Sequence, residues 1–163
     1  MKLSIDSPLQ KLLDTVPQKG TLVWIGIRPV RKVKLIALNE VAIIAGEGLA
    51  GDHFSVKSSN KREVTLIQQE HIDAVGSYLS TTIAPELLRR NLVTKGINLL
   101  ALKDKQFSIG ETILQYTGEC QPCSRMEENL GPGGYNAMRG HGGITASIVQ
   151  DGMIRLGDKI QVI

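Results

Sequence analysis

Short runs of β-forming residues, separated by glycine, proline, asparagine and aspartate, make up most of the chain from Thr21 onward. Such runs predict strands joined by tight turns, and no regular alternation of strands and helices indicates a doubly wound sheet. Eight to ten short strands with a few inserted helices favour a β-rich (α+β) fold built on a closed or partly closed β-barrel. The predicted strands are residues 21–27, two runs within 33–45, 63–68, 91–93, 98–100, 106–109, 112–116, 144–149 and 159–163.

A helix is predicted ahead of the first strand. Ser7 is a suitable N-cap, Pro8 is tolerated in a first helical turn, and Pro17 ends the helical pattern. We therefore divide the chain into an N-terminal helical extension, residues 1–20, and a barrel domain, residues 21–163.

Within the barrel domain, three segments between the strands are predicted not to be strands. A polar loop is predicted at residues 55–61, a helix at 70–79 and a helical turn at 85–89. The turn at Gly157 and Asp158 leads into the last strand, whose alternating apolar residues predict one face inside the barrel.

Length and charge exclude several classes of protein. A chain of 163 residues can bury a sizeable core without disulfides or metal. The net charge is only +3, and six aromatic residues are too few to suggest a nucleic-acid surface. No apolar run reaches the roughly 18–20 residues that span a bilayer, and the first residues do not resemble a secretory signal. We expect a cytoplasmic protein with neither a nucleic-acid nor a membrane partner.

The only two cysteines, Cys120 and Cys123, lie three positions apart. In an unexported chain such a pair indicates thiol chemistry or metal binding rather than a disulfide framework. A structural zinc site would need two more ligands, and a thioredoxin-type pair would need a βαβ context. Two buried cysteines acting as small apolar groups are the third interpretation. If the chain does chemistry, we expect sulfur chemistry here, with Arg125 close enough in sequence to stabilise a thiolate.

Six glycines fall within residues 131–143, directly after the cysteines. Glycine permits positive φ and lets backbone N–H groups surround an anion. The segment is therefore either a surface loop with tight turns or the wall of an anion or cofactor pocket, with Arg139 and His141 as donors.

Two further groups of cations suit anion binding. Arg89, Arg90 and Asn91 lie where a helical turn passes into a strand, and guanidinium groups bind phosphate or carboxylate through paired hydrogen bonds. The alternative is a solvated helix end. Lys61 and Arg62 precede another strand and form either a solvated edge or a second phosphate clamp.

Seven blocks of sequence occur in an order that is typical of one family. The most specific are Arg89 to Val93 and the Pro122-Cys123 pair, and the resemblance covers about residue 21 to the C-terminus. The blocks are Gly48 to His53, Arg62 to Ile67, Leu88 to Val93, Gly96 to Leu99, Phe107 to Gly110, Pro122 to Met126 and Gly157 to Asp158. This order resembles the MOSC domain, named for the C-terminal domain of molybdenum-cofactor sulfurases, and is similar to small stand-alone bacterial members.

The resemblance implies a β-rich barrel that binds molybdenum cofactor (molybdopterin), a pterin with a phosphate and a metal-holding dithiolene. It implies that Cys123 is the metal ligand and catalytic residue, and that Arg90 and Asn91 anchor the cofactor. Arg89, Arg62, Arg139 and His141 complete the predicted cofactor-binding set. A soft thiolate suits molybdenum. Pyridoxal phosphate binding is a further association of the family as a whole.

Two activities follow from the resemblance. Relatives reduce N-hydroxylated bases with electrons from a partner, which implies a molybdenum-dependent oxidoreductase acting on small N-oxygenated compounds with a separate reductase. Others have been proposed to carry sulfur as a persulfide, which implies a non-catalytic sulfur-carrier or cofactor-delivery module supplied by a sulfur donor protein. A barrel that has lost its cofactor is the third interpretation.

The sequence departs from the family pattern in two places. Many members have His-Gly-Gly soon after the Gly-Asp turn, where this chain has Lys61, Arg62 and Glu63. Cys120 is additional to the cofactor-reducing relatives, and we expect it to be an auxiliary thiol that resolves a persulfide or oxidised form of Cys123.

Overall fold

The structure is a computed structural model that describes residues 3–53 and 60–163. In these two ranges the chain forms eleven strands, four α-helices and three 3₁₀ turns. The strands are β1 (Gly20–Ile27), β2 (Ile36–Leu38), β3 (Glu40–Ile44), β4 (Gly48–Leu49), β5 (Val64–Gln68), β6 (Leu92–Lys95), β7 (Gln106–Ile109), β8 (Thr112–Glu119), β9 (Ile144–Gln150), β10 (Gly152–Arg155) and β11 (Lys159–Val162). The helices are α1 (Pro8–Asp14), α2 (Gln69–Leu79), α3 (Ser124–Leu130) and α4 (Gly134–Met138), and the 3₁₀ turns are Asn60–Arg62, Pro85–Leu88 and Leu99–Leu102.

Seven strands close into a mixed β-barrel in the order β1-β11-β7-β8-β9-β5-β6, with β6 returning to β1. All neighbours are antiparallel except β5 and β6, which are parallel because the crossover through α2 separates them. One edge of β1 pairs with β6, and its other edge pairs with β11 at its start and β2 at its end. This closed barrel with a few helices confirms the predicted β-rich fold.

A second sheet, β10-β3-β4, is linked to the barrel through the buried side chain of Glu63. Its Oε1 accepts a hydrogen bond from the N–H of Gly46 at 2.7 Å, and its Oε2 accepts one from the N–H of Ile148 at 2.5 Å. Gly46 lies between the strands of the small sheet and Ile148 lies in β9. Hydrogen bonds to a carboxylate contribute about 1.5–3 kcal/mol each, so this group fixes the two sheets to one another.

Alternating side chains of the barrel strands divide into two cores. Leu66 of β5 and Leu92 of β6 point into the barrel, where they pack with residues from the other strands. Their neighbours Ile67 and Val93 point outward, against α2, α3 and α4. The helices therefore cover one outer face of the barrel, next to the only parallel pair among the described strands.

The last strand is formed as predicted. Gly157 has φ of 92° in the turn that precedes β11, and Asp158 accepts a hydrogen bond from the N–H of Arg155 at 2.7 Å. Ile160 is fully buried in the barrel core, and Val162 packs against it. The polar loop predicted at residues 55–61 falls mostly outside the described residues.

Two local predictions were wrong. Residues 98–100 were expected to form a strand, but Leu99–Leu102 is a 3₁₀ turn, because Asn98 accepts a hydrogen bond from the N–H of Leu100 at 3.2 Å and starts the turn. The glycine-rich segment at residues 131–143 was expected to be either a surface loop with tight turns or the wall of a pocket, and no helix was predicted there, but it includes α4. The left-handed conformation of Gly133 starts this helix, and buried Met138 holds it against the outer core.

The predicted N-terminal helix, α1, begins at Pro8 with its N-cap Ser7 accepting a hydrogen bond from the N–H of Gln10 at 3.0 Å. It buries none of its residues and is tied to the barrel by an ion pair between Asp14 and Lys105 at 2.9 Å. The division into an extension and a barrel domain stays a prediction. No helix in the described ranges is long and apolar enough to cross a membrane.

Gly143→Ala should destabilise the protein far more than Gly140→Ala. Both glycines have positive φ, 86° and 77°, so both substitutions incur similar backbone strain. A Cβ at Gly143 would overlap the carbonyl group of Leu66, whereas a Cβ at Gly140 would meet no described heavy atom within 4 Å. In urea unfolding we expect Gly143→Ala to lose about 2 kcal/mol more than its control. Equal losses would contradict this packing.

Candidate functional site

A cavity of about 860 Å³ opens beside the helices, where the end of β1, the start of β5, the turn before β6 and the connection from β8 to α3 meet. Six arginines line it, against two carboxylates, and an exposed cysteine lies among them. The charged and thiol residues are Arg28, Arg31, Arg62, Arg89, Arg90, Arg125, Asp52, Glu63 and Cys123. This excess of positive charge suits an anionic ligand.

The turn that precedes β6 directs two adjacent arginines differently. Arg89 ends the 3₁₀ turn in the left-handed conformation, with φ of 60°, and is half-buried. Arg90 follows with 7% exposure. Strained backbone of this kind persists where surrounding structure holds it, and it often marks a functional site.

Arg90 is a buried guanidinium with an incomplete set of partners. Its Nε donates to the carbonyl of Gly142 at 2.8 Å, and its Nη1 donates to the carbonyl of Leu88 at 2.9 Å. Its Nη2 has no hydrogen-bond partner among the described residues. Burial lowers the pKa of Arg90 below its usual value, while negative charge on Cys120 and Cys123 acts in the opposite direction. The site thus holds a desolvated positive charge beside two thiols.

Asn91 fixes the wall of the cavity rather than presenting a free amide. Its Nδ2 donates to the carbonyl of Gly26 at 3.2 Å and to Asp52 Oδ2 at 3.3 Å. Its Oδ1 accepts from the N–H and the hydroxyl of Thr65, at 3.2 and 3.1 Å. Asp52 in turn accepts a hydrogen bond from the N–H of Arg28 at 2.7 Å. Asn91 lines the cavity as expected, but its amide positions β1, β5 and Asp52.

The two cysteines have different environments. Cys123 is exposed in the cavity at the N-cap position of α3, and Cys120 is buried with 3% exposure. Arg62 lies against the buried thiol, with Nη2 at 3.6 Å from Cys120 Sγ. The N–H of Cys120 donates to the carbonyl of Gly143 at 2.8 Å. Sequence reasoning placed the working thiol at Cys123, and Cys123 is the accessible one.

Two predicted site residues, Arg139 and His141, are absent from the described lining of this cavity. His141 Nδ1 lies 2.8 Å from the carbonyl oxygen of Arg139, and its ring contacts His71 edge-on with centroids 4.8 Å apart. Burial lowers the pKa of His71, and repulsion from His141 lowers it further by a smaller amount. The cofactor-binding role of these two residues stays a prediction; α4 and the tight turn after it place the His141 ring against His71 and Tyr78 of α2.

Gly142 and Gly143 serve packing rather than anion binding. A Cβ at Gly142 would overlap the carbonyl of Cys120, and one at Gly143 would overlap that of Leu66. The close approach of these backbones lets the Gly142 carbonyl reach Arg90. Among residues 3–53 and 60–163, the cavity included, no three His, Cys, Asp or Glu side chains gather as they would around a metal ion.

A profile of the MOSC domain family matches residues 53–161, well over half of the chain and including the described turn, cysteines and last strand. The chain belongs to the MOSC domain family. No curated protein matches this MOSC domain.

Solved structures share its fold. The YuaD protein from Bacillus subtilis superposes with a TM-score of 0.78 at 19% identity, covering 91% of this chain and 98% of that one. YiiM from Geobacillus stearothermophilus has a TM-score of 0.67 at 16% identity, covering 88% of this chain and 75% of that one. YiiM from Escherichia coli has a TM-score of 0.67 at 18% identity, covering 88% and 69%.

Sequence reasoning missed part of the charged lining of this MOSC domain. Arg28 and Arg31 lie in the connection after β1 and Asp52 lies in the loop after β4, and none of the three was among the predicted site residues. A signal was present for Asp52, since a Gly-Asp pair recurs in the family pattern. For Arg28 and Arg31 the sequence alone gave no such signal.

Arg90→Met should weaken phosphate binding in the cavity that contains Cys123 and leave the protein folded. Methionine fills much of the buried space without a charge, although the carbonyls of Leu88 and Gly142 lose a donor. Phosphate at one hundred times its Kd should stabilise the wild type by about 2.7 kcal/mol, and thermal melting with and without phosphate measures this. Arg139→Met is the control and should keep the full shift. A shift retained by Arg90→Met would contradict the assignment.

Thiol modification should distinguish the cysteines. Iodoacetamide at neutral pH is expected to alkylate Cys123 well before Cys120, because only the first is exposed. Peptide mass spectrometry measures the two rates, and in denaturant they should become similar. Faster modification of Cys120 in the native protein would contradict the described burial.

Proposed function

We propose that the arginine-lined cavity binds molybdenum cofactor, with Cys123 as the protein ligand to the metal. The family is associated with this cofactor, and the residues present fit it: an exposed thiol suits molybdenum, and clustered guanidinium groups suit the phosphate and dithiolene. Arg62 lies 3.6 Å from the Cys120 sulfur and Arg90 interacts electrostatically with both thiols, while Arg28 and Arg89 extend the positive lining. Pyridoxal phosphate is not proposed.

The observation that carries this proposal is the buried charge of Arg90. A guanidinium taken out of water costs several kcal/mol unless an anion compensates it. The described residues give Arg90 two backbone carbonyls and no carboxylate, and Nη2 is left without a partner. An anionic group bound in the cavity would supply the missing compensation, since Arg90 is one of its lining residues.

The chain's own groups prepare the site in three ways. Arg90 and Arg62 place positive charge beside the thiols, and the thiolate is the metal-binding form of cysteine. Buried Met126 of α3 holds the helix that Cys123 caps, and so fixes the thiol. Asn91 and Asp52 keep Arg28 at the cavity wall. The cofactor, when bound, supplies two-electron redox and oxygen-transfer chemistry.

The proposed activity is reduction of a small N-oxygenated compound, with electrons from a separate donor protein. The open side of the cavity leaves Cys123 accessible from solvent, so a substrate can reach it without crossing the barrel core. The proposal therefore is a molybdenum-dependent oxidoreductase of the MOSC family.

A second candidate is a sulfur carrier that uses a persulfide on Cys123. The observation in its favour is the additional thiol, Cys120, with Arg62 Nη2 at 3.6 Å from its sulfur. Attack of the Cys120 sulfur on Sγ of a Cys123 persulfide would form a Cys120–Cys123 disulfide and release the outer sulfur as hydrosulfide, and an external thiol reductant would then restore both cysteines. In this case a donor protein loads the sulfur and a partner receives it.

Metal analysis after expression in a cofactor-competent host tests the first function. We expect the wild type to retain molybdenum, Cys123→Ser to lose it by about tenfold or more, and Cys120→Ser to keep most of it. The serine variants are matched, since each removes one thiol at nearly constant volume.

Sulfane sulfur released with cyanide from the same preparations distinguishes the carrier. Molybdenum without releasable sulfur supports the oxidoreductase. If the protein holds no molybdenum but releases sulfur, and this sulfur is lost in Cys123→Ser, the sulfur-carrier function replaces the oxidoreductase function. Equal molybdenum in Cys123→Ser would contradict the assigned ligand.

A further inference from the structure

A side cleft of about 320 Å³ adjoins the main cavity and shares part of its wall. Three arginines belong to both, together with Leu35. The shared arginines are Arg28, Arg89 and Arg125. A volume of this size lies at the lower end of the range for small-molecule sites. The side cleft is therefore a subpocket of the Cys123 cavity that can hold a distinct part of a bound molecule.

The side cleft is positive, and its cations are uncompensated. Lys32 and Lys34 add to the three shared arginines, against Glu86 and Glu128. Within the described ranges none of these five cations forms an ion pair. Arg28 Nε is in addition buried without a hydrogen-bond partner there. An anion bound against the shared wall would meet several donors that the protein itself does not use.

Apart from Asn129, the remaining lining is apolar. Val33, Leu35, Ala84 and Leu87 contribute side chains to the side cleft. Leu87 is held in place through its carbonyl, which accepts a hydrogen bond from Asn129 Nδ2 at 2.8 Å. A hydrated inorganic anion gains no binding energy from an apolar wall. An anionic group joined to an apolar body does gain it, because the body buries apolar surface there.

We propose that the side cleft is a subsite for an organic anion, a carboxylate or phosphate ester joined to a compact apolar body. The anionic group lies against Arg28, Arg89 and Lys34, and the apolar body lies against Leu35 and Leu87. This deepens the proposed function by naming an anionic, partly apolar substrate class. That the bound molecule is a substrate rests on the proposed function. The binding itself requires no cofactor.

Isothermal titration of cofactor-free protein with phenyl phosphate, benzoate, benzamide and inorganic phosphate tests the subsite. Phenyl phosphate should bind about tenfold more tightly than inorganic phosphate, because only it uses both the cations and the apolar wall. Benzamide should bind more weakly than benzoate. The comparison of phenyl phosphate with benzoate shows which anionic group the subsite prefers.

Matched lysine variants localise the binding. Lys34 lines the side cleft, whereas Lys103 is an exposed lysine outside both described cavity linings. Lys34→Gln should weaken phenyl phosphate and inorganic phosphate alike, each about threefold to tenfold, because both ligands carry the anionic group, and Lys103→Gln should change neither. Leu87→Asn should weaken only the ligands that carry a ring. Arg89→Gly, which keeps the positive φ of 60°, should weaken both classes of ligand.

The subsite proposal would be contradicted if phenyl phosphate bound no more tightly than inorganic phosphate. It would also be contradicted if the two lysine variants had equal effects. Its failure is separable from that of the proposed function. Loss of the subsite with molybdenum still retained through Cys123 would remove this inference alone. Intact phenyl phosphate binding without molybdenum retention would remove the cofactor proposal and leave an organic-anion site.

Discussion

The hydrogen bonds of Asn91 are the constraint on which the site depends. One carboxamide joins the carbonyl of Gly26 in β1, the hydroxyl and N–H of Thr65 in β5, and the carboxylate of Asp52. The backbone carbonyl of Asn91 also accepts from the N–H of Gly26 at 2.7 Å. A residue tied to two strands and a loop cannot rotate, and its neighbour Arg90 is therefore held in the interior.

Burial of Arg90 has structural consequences around it. Its guanidinium needs acceptors, and the carbonyls of Leu88 and Gly142 provide two of them. Gly142 reaches this position because its backbone passes Cys120 more closely than any side chain would permit. The glycine-rich segment thus acts indirectly, since it brings a carbonyl to the arginine instead of wrapping an anion in N–H groups.

Positive charge and sulfur are combined in one cavity, which limits the chemistry this MOSC domain can perform. Arg62 and Arg90 lie near the thiols, and Cys123 alone of the pair is exposed. Both candidate functions use this arrangement, because a thiolate is needed to ligate a metal and to carry a persulfide. They differ in what occupies the rest of the cavity, where six arginines favour a large anion over a single sulfur atom.

The sequence determined the features that depend on short-range pattern. Alternating β-formers and turn residues predicted most strands and the barrel class, and the order of motifs predicted the family and singled out Cys123 and Arg90 as candidate site residues. Asn98 shows where this fails: a local side-chain bond overrode the strand-like composition of residues 98–100.

Only the tertiary structure decided which distant groups converge. It brought Arg28 and Arg31 from the end of β1 to the cysteine cavity, and it placed Arg139 and His141 elsewhere although they are closer to Cys123 in sequence. Convergence depends on strand register and on where each turn ends, and these are set by contacts between residues far apart in the chain. Propensity and spacing report only on neighbours, so together with the motif order they pointed to Arg62, Arg89, Arg90 and Arg125 but not to Arg28 and Arg31 on the same wall.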